Sequence, residues 1–401
     1  MFACAARAEP APGNQAEKAR FFGEIAAIMA ELEEISGLDA RARVRYDTIT
    51  RPELRRYLER KIQEEVKPEE IRADELALKK FGLVPPDYDL KESTVDLLTE
   101  QAAAFYDFRA RKLFVLESAS GALDQIALVH ELAHALADQN FRLAKFIKRG
   151  ESSDDGSLAH VAVMEGQASW LTGEYLARKS GQSLKTSPAL LERMSRSADD
   201  AASQFPVLKS APLYIRETLL FPYTAGMRFQ NAVLEKFDLE GFRRVFKNPP
   251  VTTQQILHPQ KYFDAVLPTK PRLPELPEAR SYRSLTGGSV GELDHEILLR
   301  QYIGEDAAGL AERWRGGSFE LFEHRKTKEA VLAYAVEWNE TSDARRYFEL
   351  YRRILEAKWK TFQLTEESEA AVAGEGDGGH FRVELIGKIV TSLEGLPSAI
   401  K

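Results

Sequence analysis

His130-Glu131-Leu132-Ala133-His134 is the stretch of this sequence from which the fold is most directly predicted. Apolar residues flank it on both sides and predict a helix over residues 123–140 that is apolar almost all round. A helix with this pattern is buried. On it the two histidines lie about 40° apart on one face, one turn from each other. Their imidazoles can therefore bind one metal ion from a rigid element.

The alternative is that this pattern arose by chance, as two solvent-facing histidines on a polar helix. The apolar surroundings argue against it, because buried imidazoles and a buried carboxylate without partners destabilise a fold by several kcal/mol. A metal ion supplies such partners. Glu131 is offset by about 100° from His130, which puts it beside the metal rather than on it. There it can accept a proton from a water molecule on the metal, the role of this glutamate in zinc peptidases.

A catalytic zinc ion needs a third protein ligand and one open position. Glu165 stands 31 residues after the second histidine, in an apolar helix predicted over residues 155–178. A lone glutamate in such a helix is unexpected unless it is paired or ligating. Gly166 and Ala168 are small, so we expect this helix to approach the first one closely. His160 is the rival ligand, but it lies about 140° from Glu165, so both cannot face one metal on a regular helix. We predict Glu165.

The two motifs, His-Glu-x-x-His and the later Glu-Gly-x-Ala, resemble those of the gluzincin group of metallopeptidases, to which thermolysin belongs. The resemblance implies a zincin-like catalytic domain and peptide hydrolysis with Glu131 as the general base. It also implies one zinc ion (Zn²⁺) per chain, bound by His130, His134 and Glu165. The thermolysin pattern has Asp where this chain has Ser169, so the contact that this Asp makes around the metal is not expected here.

Weaker similarities extend the resemblance over about residues 90–265. The segments that carry them resemble an uncharacterised family of bacterial zinc peptidases, and they are residues 105–107, 130–141, 222–226 and 255–259.

Hydrolysis of a peptide bond also needs a donor for the negative charge that develops on the carbonyl oxygen. Tyr223 is our first candidate, in a segment between Pro222 and Gly226 that we expect to be a constrained loop running into a helix. His258 is the second and Arg228 the third, and a structural role is the alternative for each.

Asp138 lies one turn beyond the second histidine. It could orient an imidazole N–H group or a neighbouring loop, or face the solvent.

The element pattern predicts an α+β fold. We expect a small mixed or antiparallel sheet, with strands near residues 44–49 and 105–116, packed on the helix that carries the histidines. Residues 205–221 are expected to form a loop over a cleft, and four prolines between 268 and 277 indicate a linker. The predicted regions are a disordered terminus or signal-peptide remnant (1–15), an N-terminal helical region (16–87), the catalytic domain (88–266), the linker (267–289) and a C-terminal α+β region (290–401).

Composition narrows the possible partners and compartments. The 401 residues carry a formal net charge of −7 and no basic stripe, so nucleic-acid binding is not expected. No segment approaches the ~20 apolar residues of a membrane span. Ala6-Arg7-Ala8 has the form of a signal-peptidase site, which favours a secreted or periplasmic protein, with the cytoplasm as the alternative. Cys4, the single cysteine, follows a poor lipoprotein signal, so lipid anchoring is not expected.

Three functions of different classes follow from these observations. The first is a zinc-dependent endopeptidase or exopeptidase that acts on a peptide or protein. The second is a zinc hydrolase of another amide, such as a cell-wall crosslink. The third is a non-catalytic binding protein that keeps the zincin fold, and the retained Glu131 argues against it. The sequence leaves the natural substrate and the oligomeric state open.

Overall fold

The computed structural model describes residues 15–117, 122–151, 153–202 and 204–397. This part of the chain has an α+β fold, as the sequence predicts. No helix in it is long and apolar enough to cross a membrane. Cys4 and the Ala6-Arg7-Ala8 segment lie outside the described residues.

A three-stranded mixed sheet lies beside the helix that carries the two histidines. Its strands are β1 (Arg45–Ile49), β2 (Ala104–Asp107) and β3 (Lys112–Leu116), in the order β1-β3-β2. β1 runs parallel to β3, whereas β2 is antiparallel to it. Tyr106 and Leu113 of this sheet share a buried apolar cluster with the helix α5 (Ala122–Phe141). A small mixed sheet therefore packs on this helix.

In the part of the chain that the structure describes, four helices precede β2. Thr50 begins the second of them, because its hydroxyl accepts from the backbone N–H of Glu53 while the Glu53 carboxylate accepts from the backbone N–H of Thr50. Gly82, in the left-handed region, ends the third. The helices are α1 (Gln15–Ser36), α2 (Arg51–Glu65), α3 (Pro68–Phe81) and α4 (Leu90–Gln101).

Between α5 and the C-terminal region the described residues form eight α-helices, and one of them corrects the sequence prediction. Residues 205–221 were expected to form a loop, but a long helix begins at Leu213 and passes through Pro222. Proline removes one helical hydrogen bond. Here the neighbouring Phe221, Met227 and Phe229 are buried, and this apolar burial favours a continuous helix. The helices are α6 (Leu143–Gly150), α7 (Asp154–Lys179), α8 (Pro188–Ala202), α9 (Pro206–Ser210), α10 (Leu213–Phe237), α11 (Glu240–Lys247), α12 (Thr253–Leu257) and α13 (Pro259–Phe263).

α7 and α10 touch through two glycines. A Cβ atom on Gly226 would lie 2.3 Å from the carbonyl oxygen of Ala162, and one on Gly166 would lie 2.2 Å from the carbonyl carbon of Gly226. No side chain fits between the two backbones at this point. We expected Gly166 to face the helix with the histidines; it faces α10 instead.

The C-terminal region is a seven-stranded antiparallel sheet in the order β4-β5-β6-β10-β9-β8-β7, with a long helix packed on it. Residues 264–278, which include the four predicted linker prolines, form neither helix nor strand. The largest buried apolar cluster nevertheless contains residues from both sides of this segment, such as Phe229 and Trp314. The elements are β4 (Tyr282–Ser289), α14 (Glu292–Tyr302), α15 (Glu305–Ala308), β5 (Trp314–His324), β6 (Ala330–Trp338), α16 (Thr341–Lys358), β7 (Phe362–Glu367), β8 (Ala371–Gly376), β9 (Gly379–Ile386) and β10 (Ile389–Leu396).

Substitution Gly226→Ala tests the close approach of α7 and α10. We expect it to lower the free energy of unfolding by about 1–3 kcal/mol, because the added methyl group must push the two backbones apart. Gly23→Ala is the matched control, since Gly23 lies in α1 with nothing within 4 Å of its Cβ position. There alanine should be neutral or stabilise by up to ~1 kcal/mol. Denaturant unfolding measures both, and equal effects would contradict the assigned contact.

Candidate metal centre

His130, His134 and Glu165 converge on one point between α5 and α7. Oε2 of Glu165 lies 3.0 Å from Nε2 of His130 and 3.1 Å from Nε2 of His134, and the two Nε2 atoms are 3.1 Å apart. Within the described residues, these three form the one cluster of His, Cys, Asp or Glu side chains that could hold a metal ion. All three were singled out from the sequence.

This triangle of atoms fits a zinc ion better than it fits hydrogen bonds alone. A tetrahedral zinc site with bonds of ~2.0–2.1 Å has ligand atoms about 3.3–3.4 Å apart, close to the spacing here. Each imidazole Nε2 carries at most one hydrogen. If both hydrogens point at the carboxylate, the two N–H groups also face each other across 3.1 Å. A cation in the centre, with both Nε2 atoms unprotonated, removes this conflict.

Glu165 is a buried carboxylate whose ionised form is stabilised by the two histidines. His134 is 3% exposed and Glu165 9% exposed. Burial opposes ionisation of the carboxyl, but the charges of His134 and His130 and their hydrogen bonds outweigh it and hold the pKa of Glu165 well below its usual range. Nδ1 of His134 is buried and has no hydrogen-bond partner in the described part of the chain. The ring is instead packed against the edge of Phe108, at 6.1 Å between centroids.

Glu131 lies on the flank of α5, as the helix geometry predicts. Its Oε2 accepts a hydrogen bond of 2.7 Å from the backbone N–H of Tyr106 in β2. Burial, together with the charge of Glu165, raises the pKa of Glu131 to about 7, although the charge of His130 and the Tyr106 N–H act in the opposite sense. A carboxyl with a pKa near neutrality can both accept and return a proton.

Tyr106 also connects the site to Asp138. The Tyr106 hydroxyl donates to Oδ2 of Asp138 at 3.2 Å, while Oδ1 accepts from the backbone N–H of Leu143 at 2.8 Å. Asp138 is 4% exposed and therefore does not face the solvent. Of the roles considered for it, the structure shows the second: it holds the neighbouring segment, here the start of α6, and not an imidazole.

Tyr223 reaches the centre from α10. Its ring centroid lies 5.8 Å from that of His130, and its hydroxyl is close enough to the Glu165 carboxylate for that charge to act on its pKa. The charge of Glu165, with burial and the charge of Glu131, raises the pKa of Tyr223 well above its usual value. The hydroxyl therefore keeps its proton and remains a donor. Tyr223 was expected on a loop, but a helix interior positions it, one turn before Gly226.

Three other residues considered from the sequence have other partners, and the cluster contains Glu165 rather than the rival His160, as we predicted. Nε2 of His258 contacts Oε1 of Glu292 at 2.6 Å. Arg228 is exposed and forms an ion pair with Glu192 at 3.1 Å. His160, the rival ligand, donates from Nδ1 to the Gly156 carbonyl at 2.8 Å and packs on Phe146. Each of these side chains is satisfied by its own neighbours, and sequence spacing does not reveal such neighbours.

Comparison with known proteins bears on the C-terminal region alone. Residues 280–400 match a family model described as a domain of unknown function, DUF8575. The match covers β4 to β10 and does not include the candidate metal centre. No curated protein and no solved structure matches the chain.

Metal content tests this centre. We expect one zinc ion per chain in the native protein, and His134→Ala should abolish stoichiometric zinc binding because it removes one of three ligands. His258→Ala is the matched control: it removes a histidine that also contacts a glutamate, but outside the centre. Elemental analysis of protein dialysed against zinc measures both. Full zinc occupancy in His134→Ala would remove this residue from the ligand set.

Proposed function

We propose that this protein is a zinc-dependent peptidase of the gluzincin type. The observation that carries the proposal is the convergence of His130, His134 and Glu165, with Glu131 beside them and not among them. The small mixed sheet packed on α5 supports a zincin-like catalytic domain, as does the origin of the ligands from two successive long helices. The two sequence motifs point to the same class.

Three residues of the chain have separate roles in the proposed hydrolysis. A bound zinc ion would act as a Lewis acid on the attacking water and on the substrate carbonyl. Glu131 accepts the proton of the attacking water and returns it to the leaving nitrogen. The Tyr106 backbone N–H fixes the orientation of the Glu131 carboxylate. Tyr223, whose hydroxyl stays protonated, donates to the carbonyl oxygen as that oxygen gains negative charge.

β2 is suited to bind the backbone of an extended substrate. In the described part of the chain it lies at the edge of its sheet, with β3 on one side only. The backbone N–H of Tyr106 points away from β3, toward Glu131. A peptide that adds to this edge as a further strand would pass next to the general base.

The substitution Glu131→Gln tests the assignment of the base. We expect zinc content and stability to be retained, because no ligand is lost, while peptide hydrolysis falls by about 10²- to 10⁴-fold. Peptides and cell-wall fragments should be assayed in parallel, and the proposal expects peptides to be the better substrates. Glu292→Gln is the control, a buried glutamate in contact with a histidine away from the centre. Full peptidase activity in Glu131→Gln would refute the mechanism, and loss of zinc would refute the geometry.

Tyr223→Phe tests the carbonyl donor separately. Loss of one such donor typically lowers kcat by about 10²- to 10³-fold. We expect the decrease in kcat rather than a rise in KM, because the hydroxyl acts on charge that develops in the transition state. Tyr262→Phe is the control, since the Tyr262 hydroxyl donates to the Asn248 carbonyl at 2.8 Å and does not contact the centre. Zinc content is measured in both variants, because Tyr223 also contacts Glu165. An unchanged kcat with full zinc would exclude Tyr223 as the donor.

A further inference from the structure

A cavity of about 450 Å³ lies between α3, α7, α10 and α14, and its lining combines carboxylates with apolar side chains. The carboxylates come from three different helices. None of them belongs to the candidate metal centre. They are Asp74, Asp154, Asp155 and Asp294, and the apolar lining includes Phe81, Leu158, Val161 and Phe319.

The carboxylates of this cavity have no positively charged partner among the described residues that line it. No Lys, Arg or His lines it among the described residues. The neighbouring charges that act on Asp154, Asp155 and Asp294 all come from other carboxylates. Burial, with these carboxylates as a smaller cause, raises the pKa of Asp155 to about 7 and the pKa of Asp154 and Asp294 to about 6. A cation in the cavity would relieve this repulsion.

Asp155 provides a second, independent observation. It is 4% exposed, and Oδ1 accepts from the backbone N–H and the hydroxyl of Thr253 at 3.1 and 2.5 Å. Oδ2 is buried and has no partner in the described part of the chain. Two glycines make room for the carboxylates: a Cβ on Gly288 would lie 1.8 Å from Oδ2 of Asp154, and one on Gly291 would lie 1.9 Å from Oδ1 of Asp155.

The position of these carboxylates at the starts of helices does not account for the cavity or for the unpartnered oxygen atom of Asp155. Asp154 and Asp155 lie in the first turn of α7, and Asp294 lies in the first turn of α14. Negative side chains at these positions stabilise a helix. That effect, however, requires neither an apolar cavity nor a buried carboxylate oxygen without a partner, which is costly unless something binds it.

The shape of the site favours an organic cation over a metal ion. A divalent ion needs several oxygen atoms that converge on it. In the described residues, three ligand atoms lie within 4.8 Å of one another only at His130, His134 and Glu165. The four carboxylates of the cavity are therefore too far apart to hold one metal ion together. We propose that this cavity binds an alkylammonium or guanidinium group carried on an aliphatic chain.

Two kinds of ligand carry such a group: a peptide with a Lys or Arg side chain, and a free amine. Leu158 and Val161, which line the cavity, lie on the same face of α7 as Glu165. Val161 precedes Glu165 by one turn, about 6 Å along the helix axis. A peptide bound near the metal centre could therefore place a basic side chain in the cavity.

Binding measurements on the full-length protein test the proposal without any assay of activity. In calorimetric titrations we expect n-butylamine and n-butylguanidine to bind at least about tenfold more tightly than neutral n-butanol, a difference of ~1.4 kcal/mol. Asp294→Asn should remove this preference. Asp343→Asn is the matched control, because Asp343 occupies the same capping position in α16 and accepts the same type of backbone hydrogen bond. It should bind the amine as the native protein does.

Either of two results would overturn the proposal. The first is equal affinity of the native protein for the amine and the alcohol, and the second is unchanged amine binding in both Asp294→Asn and Asp154→Asn. If Asp294→Asn does not fold, Asp154→Asn is used in its place. A lysine peptide and its norleucine counterpart, titrated into Glu131→Gln protein, identify the source. Tighter binding of the lysine peptide assigns the cavity to a peptide side chain, and amine binding without that difference assigns it to a free amine.

Discussion

The contact between Gly166 and Gly226 is the constraint on which the candidate site depends. It brings the backbones of α7 and α10 together with no side chain between them. Glu165 is the residue before one glycine, and Tyr223 lies one turn before the other. The proximity of Glu165 and Tyr223 therefore follows from the distance between the two helices. One turn further along α7, Trp170 donates to Asn231 at 3.0 Å and ties the helices together again.

A second connection fixes the helix of the histidines to the small sheet. Tyr106 takes part in it twice: its backbone N–H bonds to Glu131 and its hydroxyl bonds to Asp138. The two carboxylates lie seven residues apart on α5, two turns of the same face. The general base that we propose is thus oriented by the edge strand that we propose to bind substrate.

A feature of the site could be predicted from the sequence when it depends on residues that lie close together in the chain. The positions of His130, His134 and Glu131 follow from helix periodicity alone, and Glu165 from the rarity of a lone carboxylate in an apolar helix. Tyr223 was singled out from sequence for a different local structure, since proline usually ends a helix and tertiary burial here overrides that tendency. The backbone donor of Tyr106 could not be found, because a backbone N–H group has no signature in residue type.

Contacts between residues that are distant in the chain also explain why the partner of His258, the neighbour of Gly166 and the cavity were not predicted. His258 is held by Glu292, and Gly166 faces Gly226 rather than the helix that carries the histidines. Each of these partners is distant in the chain, and a single sequence contains no record of such pairs. The order of the seven-stranded sheet is of the same kind, since strand pairing is set by packing across the whole C-terminal region.

The position of β1 has a consequence for any attempt to dissect the chain. β1 pairs along its whole length with β3, from Arg45 with Lys112 to Ile49 with Leu116. A fragment that begins at residue 88 would lack it, and the sheet would shrink to a two-stranded hairpin, which is marginally stable in water. The exposed edge of β3 would then present unpaired backbone N–H and C=O groups to other chains, which promotes aggregation. A fragment that retains the two histidines in their setting must therefore include β1.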